Sequence, residues 1–130
     1  MIKNILLVDD DPDDADLFQE ALNEVDPPIN FHSAKSGAKA LEFLLTPQGT
    51  GVDLIFLDIN MPEMNGWQCL THLKSSMLLK QIPVIIYSTS VNKMDEQKAS
   101  NFGAKGIYQK PERFGELKRL LETVIKDFSK

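Results

Sequence analysis

Short apolar runs alternate with amphipathic segments along the whole chain, and this alternation predicts its architecture. Strands are predicted over Lys3–Val8, Ile29–Ala34, Leu54–Asp58, Val84–Ser88 and Gly106–Gln109. Leu54-Ile55-Phe56-Leu57 and Val84-Ile85-Ile86-Tyr87 are apolar throughout. A strand with no polar face suits the inside of a parallel sheet, where helices cover both sides. Between the strands, apolar residues recur at helical spacing. Phe18, Ala21, Leu22 and Val25 mark the first stripe, and Ala38, Leu41, Leu44 and Leu45 the second. Leu70, Leu73 and Met77 form the third, and Met94, Ala99 and Phe102 a sparser fourth. Phe114, Leu117, Leu121, Val124 and Phe128 form the fifth and strongest. Five strand–helix pairs predict an α/β domain with a doubly wound parallel sheet, helices on both faces and right-handed crossovers.

The punctuation agrees. Pro12 and Asp13 open the first helix, Pro27-Pro28 close it, Pro47 to Gly51 is a turn-rich loop, and Gly103 stands where the fourth helix stops. At 130 residues the chain is expected to be one domain over its full span, 1–130, with no attached effector domain.

Charge and cysteine usage narrow the class. A net charge of −5 argues against a nucleic-acid partner, which needs a basic face. Cys69 is the only cysteine, so an intramolecular disulfide is impossible and a reducing, cytoplasmic setting is expected. The first apolar run, Ile5 to Val8, is too short for a signal peptide or membrane span. No membrane role is expected.

In an open parallel sheet, ligands bind outside the carboxyl ends of the strands. Asp9, Asp10 and Asp11 follow the first strand, Asp58-Ile59-Asn60-Met61-Pro62 the third, Ser88-Thr89-Ser90 the fourth and Lys110-Pro111 the fifth. Converging carboxylates repel one another and need a cation. Mg²⁺ suits them, because it prefers oxygen ligands and keeps waters that a phosphate displaces. Asp9, Asp10 and Asp58 bring three negative charges and Lys110 one positive, so a divalent ion makes the site neutral.

Leu6-Leu7-Val8-Asp9-Asp10, Leu57-Asp58-Ile59-Asn60-Met61-Pro62 with Gly66, Pro83 to Thr89, and Lys110-Pro111 together resemble a response-regulator receiver domain of the chemotaxis-regulator type. The likeness spans essentially the full length. It implies a flavodoxin-like sheet of order 2-1-3-4-5. It further implies that Asp58 is a phosphoacceptor forming an acyl phosphate, within a protein that assists its own phosphorylation and dephosphorylation rather than turning over a substrate. By the same likeness Asp10 ligates Mg²⁺ directly, Asp9 acts through water, and Asn60 supplies its backbone carbonyl. Lys110 contacts the phosphoryl oxygens, and Ser88, followed by Thr89, supplies the switch hydroxyl. The Lys110–Pro111 peptide is cis in much of that family. Many members carry an aromatic residue three positions before the lysine; here that position is Ile107, with Tyr108 on the opposite face.

The resemblance implies a sensor histidine kinase or phosphotransfer protein as donor. The run Ser88-Thr89-Ser90-Val91-Asn92 and the loop Pro47–Gly51 are similar to small regulators that partner bacterial phytochrome kinases. Output is expected through protein contacts at the fourth helix, fifth strand and fifth helix, where Leu120 and Ile125 suggest a partner or a homodimer unless the core stripe is broad.

The rival from another class is a haloacid-dehalogenase-like phosphatase with Asp9 as nucleophile and Asp11 two residues on. Asp13 stands where that family has Thr or Val, and no later acid pair completes its metal site. The remaining acids, Asp13, Asp14 and Asp16, read as a solvated helix start, since carboxylates favour helix N-termini. Asp14 also stands where an EF-hand needs glycine.

Overall fold

The chain runs β1 (Asn4–Val8), α1 (Pro12–Val25), β2 (Asn30–Ala34), α2 (Gly37–Leu44), β3 (Leu54–Leu57), α3 (Gly66–Ser75), β4 (Val84–Ser88), α4 (Lys93–Asn101), β5 (Gly106–Gln109) and α5 (Phe114–Phe128). The structure, a computed structural model, describes residues 1–129. All strand pairs are parallel, and the sheet order is β2-β1-β3-β4-β5. This is the parallel sheet expected from the sequence, in the doubly wound, flavodoxin-like order that the resemblance implied.

Alternation along each strand sends side chains to two separate cores. Leu6, Val8, Ile55, Leu57, Val84 and Ile86 meet α2, α3 and α4 through Ala40, Leu44, Cys69, Leu70, Leu73 and Ala99. Ile5, Leu7, Leu54, Phe56, Ile85 and Tyr87 meet α1 and α5 through Phe18, Leu22, Leu117, Leu121 and Val124. Phe18 packs edge-on against Phe56 and Tyr87, with ring centroids 5.0 and 5.6 Å apart. Ile107 belongs to the first core and Tyr108 to the second, as the period-two pattern requires.

Strands β1 and β2 begin one residue later than expected, at Asn4 and Asn30, and Asp58 lies just past β3 rather than inside it. Larger corrections concern the helices. In α2 the inward residues are Gly37, Ala40 and Leu44, while Ala38 and Leu45 are exposed. Gly37 packs closely on that face: a Cβ there would stand 2.7 Å from the Met64 sulfur. Helix α3 stops at Ser75, leaving Met77 exposed beyond it. In α4 only Ala99 is buried; Met94 is 81% exposed and Phe102 caps the helix from outside. The extra apolar residues of α5 turn inward: Ile125 is buried and Leu120 packs on the same core, so the broad stripe explains them without a second copy.

Among the described residues no peptide bond is cis, so Lys110–Pro111 is trans, unlike the form common in the resembled family. No helix among them is long and apolar enough to cross a membrane.

Candidate active site and metal centre

Pairing of β1 with β3 puts Val8 opposite Leu57, so Asp9 and Asp58 leave the sheet side by side. The backbone N–H of Asp58 donates to Val8 O at 3.0 Å, and that of Asp9 to Ala34 O at 3.0 Å. Each carboxylate is aimed by an amide two residues on: Asp11 N–H donates to Asp9 Oδ1, and Asn60 N–H to Asp58 Oδ1, both at 3.0 Å. Both acids are buried although they end strands, whereas Asp10 stands exposed at the rim.

Lys110 arrives from the far side. Its backbone N–H donates to Ser88 O at 2.7 Å, extending the β4–β5 ladder past the strand end. Its Nζ then lies 2.7 Å from Asp9 Oδ2, 2.8 Å from Asp14 Oδ2 and 3.3 Å from Asp58 Oδ2, with its side chain only 8% exposed. Burial alone would lower the pKa of this lysine. The hydrogen bond to Asp14, then the contact with Asp9 and the charges of Asp9 and Asp58, outweigh burial and raise it well above the ordinary lysine value.

Burial dominates at Asp9 and pushes its carboxyl up to about 6, with Lys110 and the Asp11 amide pulling the other way. The Lys110 ammonium, 2.7 Å away, is the partner of this buried Asp9 Oδ2 among the described residues. Three converging carboxylates against one ammonium leave excess negative charge at the mouth, which fits a cation. Oxygens of Asp9, Asp10 and Asp58 lie within 4.8 Å of one another, a spread that one hard divalent ion with retained waters bridges.

Ser88 is fully buried, and its Oγ accepts from Asn60 Nδ2 at 3.1 Å. The Asn60 side chain thus has a task beside its carbonyl that the sequence did not suggest. Thr89 is exposed and makes no side-chain hydrogen bond among the described residues. Asp14 is the residue misjudged from sequence: its carboxylate joins the site through Lys110 instead of only solvating the helix start. Its position one turn into α1, beside the strand-end acids, was the available signal. Asp13 and Asp16 remain at the surface side of α1 and make no ion pair among the described residues.

Gly66 fixes the loop carrying Asp58. A Cβ there would stand 2.5 Å from both Asp58 O and Ile59 Cα, so only glycine lets α3 start against this backbone. Asn65 caps the helix with Gln68 in a reciprocal box. Cys69, buried behind it, is a packing residue whose thiol burial pushes up to about 11. His32 and His72 lie outside the site; His32 contacts Asn4 and Phe43.

Residues 5–122 match the response regulator receiver domain family. The two-component response regulator ORR1 of Oryza sativa subsp. japonica is 34% identical over 124 residues, covering 92% of this chain. The chain spans 54% of that regulator's length and 26% and 7% of two other curated relatives'. The structure of the phosphorylated cyanobacterial phytochrome response regulator RcpA aligns with a TM-score of 0.86 at 28% identity, over 99% of this chain and 95% of that one. The Mn(2+)-bound form of response regulator Rcp1 aligns with a TM-score of 0.80 at 27% identity, over 95% of this chain and 92% of that one. Strand order, strand-end acids and sequence likeness converge, and the chain belongs to the response regulator receiver domain family.

Proposed function

We propose that this chain is a phosphorylation switch of a two-component system in which Asp58 accepts a phosphoryl group from a histidine kinase or phosphotransfer protein. The observation that carries this reading is the convergence of Asp9, Asp10, Asp58 and Lys110 at the mouth between β1, β3 and β5. An Asp58 carboxylate oxygen forms a bond to phosphorus while the bond from phosphorus to the donor nitrogen breaks, and the electron pair leaves with the imidazole. Asp9, Asp10, Asp58 and the Asn60 carbonyl would hold Mg²⁺. When bound, the ion neutralises charge between the carboxylates and the phosphoryl oxygens, which a loose phosphoryl-transfer transition state requires. Lys110 supplies a fixed ammonium to the same oxygens, and Ser88 supplies a hydroxyl whose oxygen is already oriented by Asn60.

Acetyl phosphate with Mg²⁺ should add one phosphoryl group by intact mass, and Asp58→Asn should abolish it. Unchanged labelling of that variant would overturn the assignment. Labelling at Asp9 would instead favour the phosphatase reading. The sequence disfavours that reading, because Asp13 stands where that family has Thr or Val.

The likeness to the phytochrome response regulator RcpA and to a bacteriophytochrome response regulator, with the Ser88–Asn92 run, favours a phytochrome-type kinase as donor. Output is proposed to pass through protein contacts at α4, β5 and α5 in the cytoplasm. Phosphotransfer assays against phytochrome-type and other histidine kinases test the donor; equal rates from both would remove the preference.

A further inference from the structure

Three carboxylates share Lys110, and only two of them belong to the metal set. Asp9 and Asp58 lose freedom to pair with the ammonium once a cation takes their oxygens. Asp14, on the first turn of α1, holds Nζ at 2.8 Å and is separated from Lys110 by 96 residues of chain. Its side chain is 33% exposed and makes no other ion pair among the described residues. With Asp14 counted, the cluster carries three net negative charges around one lysine and keeps one after a divalent ion enters. That residual charge is placed to retain the ammonium.

We infer that Asp14 is a positioning residue for Lys110, the carboxylate that keeps the ammonium at the mouth of the site when a divalent cation takes Asp9 and Asp58. The inference rests on the phosphoacceptor reading above. Without Asp14, Lys110 has only the metal's own ligands to pair with. The ammonium then competes with the cation when the site is empty and is released toward solvent when it is full. Ordinary helix-end electrostatics do not give this result. Asp13 occupies the same first turn and carries the same charge, yet forms no ion pair among the described residues.

Magnesium titration of the metal-free protein followed by NMR tests the inference. Asp14→Asn should weaken Mg²⁺ binding by about two- to fivefold, the range for a partly exposed charge pair, and Asp13→Asn by less. Bulk charge is separated from positioning by repeating the pair in a Lys110→Met background. Positioning through the lysine requires that the excess loss from Asp14→Asn disappear there. The same loss in both backgrounds would overturn the inference. A second readout needs no change at Lys110: its side-chain ammonium resonance should persist on Mg²⁺ binding in the parent protein and be lost to rapid exchange in Asp14→Asn. Loss of that resonance in the parent protein also overturns the inference. A parent protein that neither binds Mg²⁺ nor takes label at Asp58 sinks the phosphoacceptor reading along with it. A parent that does both, with Asp14→Asn and Asp13→Asn indistinguishable, sinks the Asp14 role alone.

Discussion

Asn60 Nδ2 donates a hydrogen bond of 3.1 Å to Ser88 Oγ, joining the loop after β3 to the end of β4. The serine oxygen is occupied as an acceptor, so its own proton is left to give. Ser88 is fully buried, and the loop carrying Asn60 is the loop carrying Asp58. On the proposed reading, in which Ser88 is the switch hydroxyl, this contact orients it before a phosphoryl group arrives. A hydrogen bond to a charged oxygen contributes about 1.5–3 kcal/mol, so Ser88→Ala should weaken beryllofluoride binding roughly ten- to a hundredfold. Asn60→Ala, which removes only the orienting donor, should cost a smaller factor. Fluorescence titration of both variants checks the ranking, and the reverse order would count against this role for Asn60.

Asp9 ties stability to pH with a definite sign. Its folded pKa, about 6, lies above the ordinary value of 3.8, so the folded state holds the extra proton between these values. Its contribution is therefore favourable below about pH 4 and is lost as pH rises through about 6. The full span corresponds to roughly 3 kcal/mol. In metal-free protein, Asp9→Asn should stabilise the fold more at pH 7 than at pH 4. Urea unfolding in the presence of a chelator measures this, and a pH-independent difference would contradict it. Because the cation needs the ionised carboxylate, Mg²⁺ affinity should fall as pH drops below about 6.

Two glycines make a paired stability test. Gly66→Ala drives a methyl group into the Asp58 carbonyl and the Ile59 backbone, so it should destabilise by about 1–3 kcal/mol and slow labelling of Asp58. A methyl group at Gly115 in α5 would meet nothing within 4 Å, so Gly115→Ala should stabilise by about 0.4–1 kcal/mol. Thermal unfolding of the two variants should move in opposite directions.

Activation should be read out through α4 rather than through residue 107. Ile107 is β-branched, stiff at χ1, and packed in the core beneath α4, so it lacks the large swing of an aromatic ring. Helix α4 is held lightly: Ala99 is its one buried residue. Outside the core, Lys98 Nζ sits 4.9 Å from the Trp67 ring centroid, and Phe102 lies 5.5 Å from the same ring. Trp67 follows Gly66, whose amide is bonded to Ile59 O in the acceptor loop. Beryllofluoride should shift α4, leave the Ile107 rotamer unchanged and alter Trp67 fluorescence, and Phe102→Ala should reduce that optical change. A bound structure with a flipped Ile107 or Tyr108 and a stationary α4 would refute this.

The two cores and the chemistry at the strand ends were legible because the signals are local. A run such as Leu54 to Leu57 has no polar face, so it belongs inside the sheet whatever surrounds it, and the acid that follows must stand at a mouth. Asp9, Asp10, Asp58 and Lys110 were placed at strand ends this way, whereas the choice of Ser88 over Thr89 came from the family resemblance. Helix rotation was not available locally. Of the α2 stripe Ala38, Leu41, Leu44 and Leu45, Leu44 is buried and Leu41 packs on the core. Ala38 and Leu45 are exposed and Gly37 and Ala40 turn inward, because the surface α2 meets decides which face turns in. Met77 and Met94 likewise carry the hydrophobicity of a core residue but meet no core surface. Side-chain partners across the sheet lay further out of reach: Asn60 finds Ser88 28 residues away, and Asp14 finds Lys110 across 96. Periodicity fixes neither meeting. The sequence alone determined which elements form and which strand ends bear charge, because propensity and burial act over a few neighbours. Tertiary packing decided how each helix turns and which carboxylate holds the lysine, because those depend on surfaces that exist only once the sheet is assembled.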